Sequence, residues 1–443
     1  MSQGSGDPTL RPRILLVGGG PLKLELVRAA QRYGDVVVFD ASPRAPALAL
    51  ADHARIVDLS RSADVMRAAR ELGVTAVLPA PDDAAMPAVN AVAREIALPG
   101  THGDAAARCR DKWACFRALC RGPHAVPATH LVSDVDQART AADALGGYPV
   151  VVKPRCGDAG RGVHVVRAQA ELSAAVSCAH RAYGPGEHAV LVQAFVPGRA
   201  IGVEAFFVAG ELARAFVLDD QFEADFVSPA GHALPSTLSQ PEIDSVCAAV
   251  ATFGRALGLR DGPANFDLRY EAGRTTLLEV NPRLGGNSIT DLIRLAHGVD
   301  LAQASVCCAL GLDPRPLLWS QQPIEPRAAR MILKSDRGMP CIPDEAAERV
   351  CAQSATASEA SPSALHTAQP AQCGAGANSA WHEHPDVIAL ELHDAERERV
   401  HARADGWTVL GRTIVRGTDS ASAARLAEEI AHDIARRVRF KPP

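Results

Sequence analysis

Two short stretches of the sequence contain residue types that could bind a polyphosphate and a divalent cation. In residues 150–166, VVVKPRCGDAGRGVHVV, Lys153 ends an apolar run and Gly157, Gly160 and Gly162 follow it. Glycine lets backbone N–H groups approach anionic oxygens, and the preceding lysine supplies a compact cation. The stretch is not a P-loop, because no Gly-Lys-Ser/Thr triplet follows. Taken alone, it could also be an ordinary glycine-rich hairpin with a surface lysine.

The second stretch is residues 265–287, NFDLRYEAGRTTLLEVNPRLGGN, which predicts two strands joined by a turn. Asp267 lies on the first strand, and Glu279 and Asn281 lie on one face of the second. Such an all-oxygen set suits Mg²⁺, with phosphates and water completing its coordination. Arg283 could hold a phosphate or an acyl phosphate through paired hydrogen bonds. The alternative is a solvated hairpin whose carboxylates pair with neighbouring arginines.

A third stretch, residues 190–204, VLVQAFVPGRAIGVE, predicts an apolar strand that turns at Pro197 and Gly198 into another strand. The backbone of such a linker could present N–H and C=O groups to the edge of an adenine, and Gln193 could add its amide. By itself the stretch favours a plain hairpin.

Composition indicates a globular α/β enzyme rather than a disordered or fibrous chain. The 443 residues are 47% hydrophobic and 4% aromatic, and this length predicts about three domains. The net charge of -5 comes without a concentrated basic run, so nucleic acid is not an expected partner. No signal peptide or membrane span is evident, and the 11 cysteines show no CxxC pair, so we expect cytoplasmic residence with reduced thiols and no membrane partner.

The first hundred residues alternate between strand and helix patterns. Residues 13–18, RILLVG, run into three glycines, a helix-like segment follows, and a second apolar run ends at Asp40. This βαβ unit predicts an N-terminal domain at 13–105 with a parallel, doubly wound sheet. A dinucleotide fingerprint is the alternative, but Lys23 stands where the third glycine is needed, so nicotinamide binding is disfavoured.

Beyond this domain, residues 106–335 predict two lobes. Short strands make the first lobe, over about 125–210, antiparallel and β-rich. Helices and paired strands make the rest an α+β lobe.

Three further segments complete the predicted organisation. Residues 1–12 are expected to be a flexible N-terminus. Residues 336–386 are rich in Ala, Ser, Gln, Pro and Gly, which predicts a flexible insertion. Residues 387–443 predict a closing unit of strand, strand and helix.

In their order along the chain, Lys112 and the three stretches resemble the ATP-grasp superfamily over residues 13 to about 335. The pieces are VVVKPRCGDAGRGV, LVQAFVPGRAIGVE, NFDLRY and LLEVNPRLGGN. The resemblance implies α/β and α+β architecture, namely an ATP-grasp fold with a Rossmann-like pre-ATP-grasp domain. Residues 228–267 are similar to the carboxylate-amine ligase branch, which includes L-amino acid ligases. The ATP machinery is shared with biotin carboxylase and carbamoyl phosphate synthetase.

The resemblance also implies roles for individual residues. Lys112 and Lys153 would contact ATP phosphates, the glycine loop would close over them, and Lys153 and Arg283 would act in catalysis. Adenine would be lined by Gln193, Ala194 and Val196. Mg²⁺, usually two ions and replaceable by Mn²⁺, would be held by Asp267, Glu279 and Asn281.

Two departures from the family pattern affect the nucleotide contacts. Many members have Glu where Gln193 stands, and many have an acid for the ribose hydroxyls where this chain has Ala200; Glu204 could compensate for the latter. The substrate side has weaker candidates: His232 as a base, and Arg283, Gly286 and Arg294 as binding residues.

The implied function is an ATP-dependent carboxylate-amine ligase that joins small molecules, foremost amino acids. It would form an acyl phosphate and release ADP and phosphate, and many relatives are homodimers. One alternative is a bicarbonate-dependent carboxylase of the same superfamily. The other is a catalytically silent ATP-binding sensor.

Overall fold

The computed structural model describes most of the chain as helices and strands arranged around three β-sheets. The described residues are 11–78, 85–96, 102–120, 122, 125–157, 160–182, 189–224, 227–335, 379–392 and 407–437.

The N-terminal domain contains a parallel four-stranded sheet in the order β3-β2-β1-β4. Its strands are β1 (Arg13–Val17), β2 (Asp35–Asp40), β3 (His53–Ile56) and β4 (Ala76–Leu78), and its helices are α1 (Leu24–Gln31), α2 (Ser62–Glu71) and α3 (Met86–Glu95). The nearly continuous apolar runs of β1 and β2 are buried because helices cover both faces of the sheet. The glycine turn after β1 is held by Asp40, whose carboxylate accepts from the Gly19 and Ser42 N–H groups.

The next unit is an antiparallel sheet in the order β5-β8-β6-β7, preceded by two helices. The helices are α4 (Asp104–Arg110) and α5 (Lys112–Leu119), and the sheet comprises β5 (Thr129–Val132), β6 (Val150–Pro154), β7 (His164–Val166) and β8 (Val190–Ala194), covered by α6 (Val135–Ala144) and α7 (Gln169–Arg181). The sheet ends at Ala194, although the sequence predicted a first lobe to about 210. The strand that follows pairs elsewhere.

The third sheet has eight strands in the order β13-β12-β9-β10-β11-β14-β16-β15, with antiparallel neighbours throughout. Its strands are β9 (Arg199–Val208), β10 (Glu211–Gln221), β11 (Gly231–Leu234), β12 (Gly262–Glu271), β13 (Arg274–Asn281), β14 (Arg327–Ser335), β15 (Val387–Leu392) and β16 (Trp407–Arg416). The accompanying helices are α8 (Gln240–Leu257), α9 (Ile289–His297), α10 (Leu301–Ala309), α11 (Ser379–His382) and α12 (Ser420–Arg437). The C-terminal strands and helix therefore extend the second lobe.

Part of the predicted flexible insertion is ordered. Residues 336–378 and 1–10 lie outside the described residues. Helix α11, however, lies at the end of the predicted insertion, and Trp381 Nε1 donates to Asp433 Oδ2 on α12 at 2.7 Å. The C-terminal unit therefore begins before residue 387.

One hydrophobic core joins the N-terminal domain to the second lobe. Leu26 and Val27 of α1 share this core with Leu292 of α9 and with Ala302 and Val306 of α10. Burial of these aliphatic side chains fixes the start of α1 against the start of α9. The loop at residues 284–288, just after the proposed cation ligands, lies at this junction.

A close approach between α8 and β9 gives a stability prediction. A Cβ at Gly254 would overlap the ring of Phe207, which is fully buried. We expect Gly254→Ala to destabilise the fold by up to about 2 kcal/mol, because overpacking costs about 1–3 kcal/mol and the gain in helix propensity offsets only about 1 kcal/mol of it. Chemical denaturation measures this, with Ser245→Ala on the exposed face of α8 as the control. Equal stability of both variants would contradict the proposed overlap.

Candidate functional site

The predicted cation ligands lie on two rungs of the β12–β13 hairpin that are separated by one intervening residue pair. The register pairs Asp267 with Glu279 and Asn265 with Asn281. Because residues two apart on a strand share a face, the carboxylates and the Asn281 amide project from the same side. The hairpin therefore brings together the three residues that the sequence proposed.

Lys112 lies against this hairpin at the start of α5. Its Nζ is 3.1 Å from Glu279 Oε1 and donates to the Gly157 carbonyl at 2.6 Å. Its backbone N–H donates to Arg155 O. The lysine thus connects the glycine loop after β6 to the acidic hairpin.

Lys153 lies beside Lys112 and is also buried. Its Nζ donates to Leu278 O at 3.4 Å and lies 5.0 Å from the ring centroid of Phe116, a distance at which a cation and an aromatic face attract. Burial, followed by repulsion from Lys112, lowers the pKa of Lys153 to about 8. Two closely spaced, buried cations form a site suited to an anion.

The pKa of Asp267 is shifted in the opposite direction from that of Lys153. Burial, followed by repulsion from Glu279 and Asp220, raises the pKa of Asp267 to about 8. Crowded carboxylates of this kind are stabilised by a divalent cation, which removes both the repulsion and the desolvation cost. The described residues contain no group of three or more His, Cys, Asp or Glu side chains placed to hold a metal. Two carboxylates and one amide instead fit Mg²⁺ that keeps phosphate and water ligands.

Arg283 lies at the start of the loop that follows the hairpin. It is 9% exposed, and its Nη1 donates to Leu284 O at 2.9 Å. Glu204 binds the loop after Arg283. Its carboxylate accepts hydrogen bonds from the Gly285 N–H and from Asn265 Nδ2, each at 3.1 Å. Burial raises the pKa of Glu204 to about 7.

This position of Glu204 corrects one sequence prediction. Glu204 was considered as a ribose ligand in place of the missing acid at Ala200. It is 1% exposed and both of its carboxylate oxygens are engaged within the protein. The structure therefore assigns Glu204 to positioning the Gly285 loop, and it does not fit a direct nucleotide contact.

The described part of the glycine loop has the backbone geometry that glycine allows. Gly157, Gly160 and Gly162 have φ values of 134°, 71° and 71°. A Cβ at Gly160 would overlap Ser228, and one at Gly162 would lie 2.7 Å from Ala182 Cβ. Gly162 thus permits packing against the end of α7, and Gly160 permits contact with the second lobe. Residues 158 and 159 of the predicted loop lie outside the described residues.

The predicted adenine strand connects the two antiparallel sheets. Gln193 is buried on β8, and its Nε2 donates to Thr129 Oγ1 at 2.9 Å. The Ala194 N–H donates to Ala128 O at 2.9 Å. Val196 follows in the half-buried link to β9. The three residues lie where the first antiparallel sheet ends and the connection to β9 begins, although the sequence placed them inside the first lobe.

His232, the candidate base, is a buried residue of the second lobe. It lies on β11, is 4% exposed, and its Nδ1 is 2.7 Å from Asp220 Oδ1. Its Nε2 is buried without a hydrogen-bond partner among the described residues. His232 is therefore a strand residue held by Asp220, which itself lies close enough to raise the pKa of Asp267.

The remaining substrate candidates lie at the junction between the N-terminal domain and the second lobe. Gly286 lines a small cleft together with Glu25, Asp291 and Arg412. Arg294 lies nearby on α9, where its Nη2 is 3.2 Å from Glu25 Oε1 and 3.3 Å from Asp291 Oδ1. The structure thus places Gly286 and Arg294 near one another.

Sequence reasoning missed several residues that position the site. Asp111 caps α5 by accepting a hydrogen bond from the Ala114 N–H. It also forms a bidentate ion pair with Arg155. These contacts fix Lys112, the next residue, against the glycine loop. An Asp directly before a helical pattern is a cap signal that could have identified this residue. Phe116 and Asp220 gave no comparable local signal.

Comparison with known proteins identifies the domain that contains most of these residues. Residues 146–291 match the family model described as the ATP-grasp domain, so the chain carries an ATP-grasp domain. Carnosine synthase 1 of Gallus gallus is 32% identical over 203 residues, which cover 43% of this chain and 22% of that protein. The chain spans between about one fifth and one half of the length of the first curated relatives it matches.

Solved structures share the fold at low sequence identity. The L-amino acid ligase from Bacillus licheniformis has a TM-score of 0.70 at 15% identity, with 96% of this chain and 98% of that chain covered. The carboxyaminoimidazole ribonucleotide synthase from Aspergillus clavatus, solved with ATP, has a TM-score of 0.70 at 16% identity, with 97% and 99% covered. The predicted ATP-grasp fold with its N-terminal parallel sheet is confirmed. Within the described ranges, no helix has the length and apolarity to cross a membrane.

Proposed function

We propose that this chain, with its ATP-grasp domain at residues 146–291, is an ATP-dependent ligase that joins a small-molecule carboxylate to an amine through an acyl phosphate. The observation that carries the proposal is the contact between two buried lysines and an acidic hairpin. Lys112 touches both Glu279 and the glycine loop, and Lys153 lies beside it. Such a site can hold a polyphosphate and a divalent cation together.

The proposed chemistry follows from the reactivity of carboxylates. A carboxylate is a poor electrophile toward amines, so transfer of the γ-phosphoryl group of ATP supplies a leaving group. Phosphoryl transfer requires alignment and charge neutralisation rather than covalent help from the protein. Mg²⁺ held by Asp267, Glu279 and Asn281 would neutralise charge on the phosphate oxygens. Lys112 and Lys153 would bind the phosphates, and Arg283 would hold the acyl phosphate by hydrogen bonds.

The glycine loop completes this proposal. Lys112 fixes the loop at the Gly157 carbonyl, and Gly160 lies against the second lobe at Ser228. A loop closed over the phosphates would keep water from hydrolysing the acyl phosphate. The amine then attacks the acyl carbon, and phosphate leaves.

Amino acids are the proposed substrate class. This assignment is supported by similarity to a carnosine synthase in sequence and to an L-amino acid ligase in fold. The equal likeness in fold to a carboxyaminoimidazole ribonucleotide synthase keeps bicarbonate-dependent carboxylation as the second candidate. A silent ATP sensor is disfavoured, since it would not need Asp267, Glu279, Asn281 and Arg283 together.

The test is phosphate release from ATP and Mg²⁺ with amino acids supplied singly and in pairs, with and without bicarbonate. We expect release that requires two amino acids and forms a dipeptide detectable by mass spectrometry. Release that requires bicarbonate would instead support carboxylation. ATP binding without release under any of these conditions would contradict the proposed ligase activity on amino acids.

A further inference from the structure

His232 is a buried histidine of the second lobe in which only one ring nitrogen is engaged. It lies on β11 and is 4% exposed. Its Nδ1 is 2.7 Å from Asp220 Oδ1, whereas its Nε2 is buried and has no hydrogen-bond partner among the described residues. A buried polar atom without a partner is costly, so this nitrogen requires an explanation.

His102 shows the contacts of a purely structural histidine in this chain. It is 5% exposed, its Nε2 is 2.8 Å from Pro263 O, and its Nδ1 accepts from the Arg260 N–H at 3.2 Å. Backbone groups therefore satisfy both of its ring nitrogens. His232 is buried to the same degree, but its Nε2 is left for a group that the described residues do not supply.

Asp220 determines which nitrogen of His232 carries the hydrogen. Because a carboxylate only accepts hydrogen bonds, the hydrogen lies on Nδ1. In the neutral imidazole, Nε2 then has a free lone pair and can accept a proton. An imidazole oriented by an acid in this way is the arrangement that acts as a general base in enzymes.

The His232–Asp220 pair projects from the same sheet face as the acidic hairpin. The two residues are partners in the β10–β11 register. The Asp220 carboxylate extends toward Gly202, because a Cβ at Gly202 would lie 2.9 Å from Asp220 Oδ1. Gly202 is in turn the β9 partner of Asp267. Since paired residues of neighbouring strands share a face, the pair lies on the face that carries the proposed Mg²⁺ ligands.

Both loops assigned to phosphate binding reach the segment that leads into β11. The glycine loop lies against this segment at Ser228, which a Cβ at Gly160 would overlap. In the loop that begins at Arg283, Asn287 Nδ2 donates to Pro229 O at 3.3 Å. An acyl phosphate held between the two loops would therefore lie beside the start of β11.

We propose that His232 is the general base that accepts a proton from the amine substrate, and that Asp220 is its positioning residue. The inference rests on the proposed ligase function. An ammonium group must lose two protons to become an amide nitrogen. Nε2 accepts one of them as the N–C bond forms. The electron pair of the breaking C–O bond goes to the departing phosphate, which carries away the second proton, and Nε2 then releases its own proton to water.

Hydroxylamine separates the two halves of this reaction. It is uncharged at neutral pH and traps acyl phosphates as hydroxamates, so it reports acyl phosphate formation with little need for a base. With ATP, Mg²⁺ and each amino acid in turn as the carboxylate, we expect the His232→Gln protein to keep most of its hydroxamate formation. Dipeptide formation from pairs of amino acids should fall by about 10²–10⁴-fold, the usual contribution of general acid–base catalysis.

His102→Gln is the matched control, because it removes an equally buried imidazole whose nitrogens are both engaged. Any loss of folded protein in this control lowers both products together and leaves their ratio unchanged. Asp220→Asn gives a second test that keeps the imidazole of His232. The asparagine amide can donate to Nδ1, which moves the hydrogen to Nε2 and removes the free lone pair. The ratio of dipeptide to hydroxamate should therefore fall in this variant too.

The ratio of the two products decides the outcome. A folded His232→Gln protein with the wild-type ratio of dipeptide to hydroxamate would overturn the proposal. If this variant does not fold, an unchanged ratio in the Asp220→Asn protein overturns it instead. Failure of the ligase function is visible separately, since the wild-type protein would then form neither hydroxamate nor dipeptide.

Discussion

Replacement of Glu279 by glutamine is expected to reduce ATP-dependent phosphate release by about 10²–10³-fold, the usual cost of losing one preorganised charge-stabilising group. Glutamine keeps the size of the side chain and removes its charge. Two contacts change at once: the carboxylate opposite Asp267 is lost, and Lys112 loses the partner 3.1 Å from its Nζ.

The physical reason predicts where the defect appears. With one carboxylate fewer, Asp267 and Asn281 would hold Mg²⁺ more weakly, so the Mg²⁺ concentration for half-maximal activity should rise. Binding of ATP in the presence of EDTA should change much less. Initial rates at several Mg²⁺ concentrations and calorimetric ATP titrations provide both measurements.

Glu271→Gln is the control for this substitution, because Glu271 lies exposed at the end of the same hairpin. It should leave the rate and the Mg²⁺ requirement unchanged. If a folded Glu279→Gln protein has unaltered kinetics, the proposed role of the acidic hairpin in Mg²⁺ binding is wrong.

The acidic hairpin was predictable from the sequence because its contacts are local. The turn at Ala272 and Gly273 joins strands that are close in the chain, and the two-residue period then assigns Glu279 and Asn281 to one face. The observed register pairs Asp267 with Glu279. Short-range rules were sufficient there.

Residues whose settings depend on distant strands were not predictable in this way. His232 lies among Pro and Gly residues that are typical of a loop, yet β11 forms because β14, nearly a hundred residues later, pairs with it. Burial of His232 against Asp220 follows from that pairing. Glu204 is likewise buried because β12 and the Gly285 loop cover it, which strand periodicity alone does not reveal.

The boundary between lobes was misplaced for a related reason. Residues 199–208 form a good strand, but strand propensity does not determine which sheet the strand joins. Pairing of β9 with β10 and β12 moves it from the first lobe to the second. The linker before it, which contains Val196, is consequently the connection between the lobes.

Lys153→Met is expected to lower kcat/KM for ATP by about 10²-fold, because methionine keeps the apolar stem beside Phe116 and removes the charge. Lys334→Met provides a comparison, since Lys334 lies on β14 and donates to Ala435 O far along the chain from the glycine loop. An equal loss in both variants would point to general destabilisation.

The pH dependence separates a phosphate-binding Lys153 from a purely structural one. Its pKa of about 8 means that the free protein loses this charge as the pH rises through 8, so kcat/KM for ATP should fall above that pH. Bound phosphate favours the protonated form of Lys153. The fall of kcat should therefore occur at a higher pH than the fall of kcat/KM. The Lys153→Arg protein keeps its positive charge at all these pH values. Its kcat/KM should therefore show no fall above pH 8, although its rate is lower than that of the wild-type protein. Identical pH profiles for the wild-type and Lys153→Arg proteins would show that Lys153 does not titrate in the ATP-binding step.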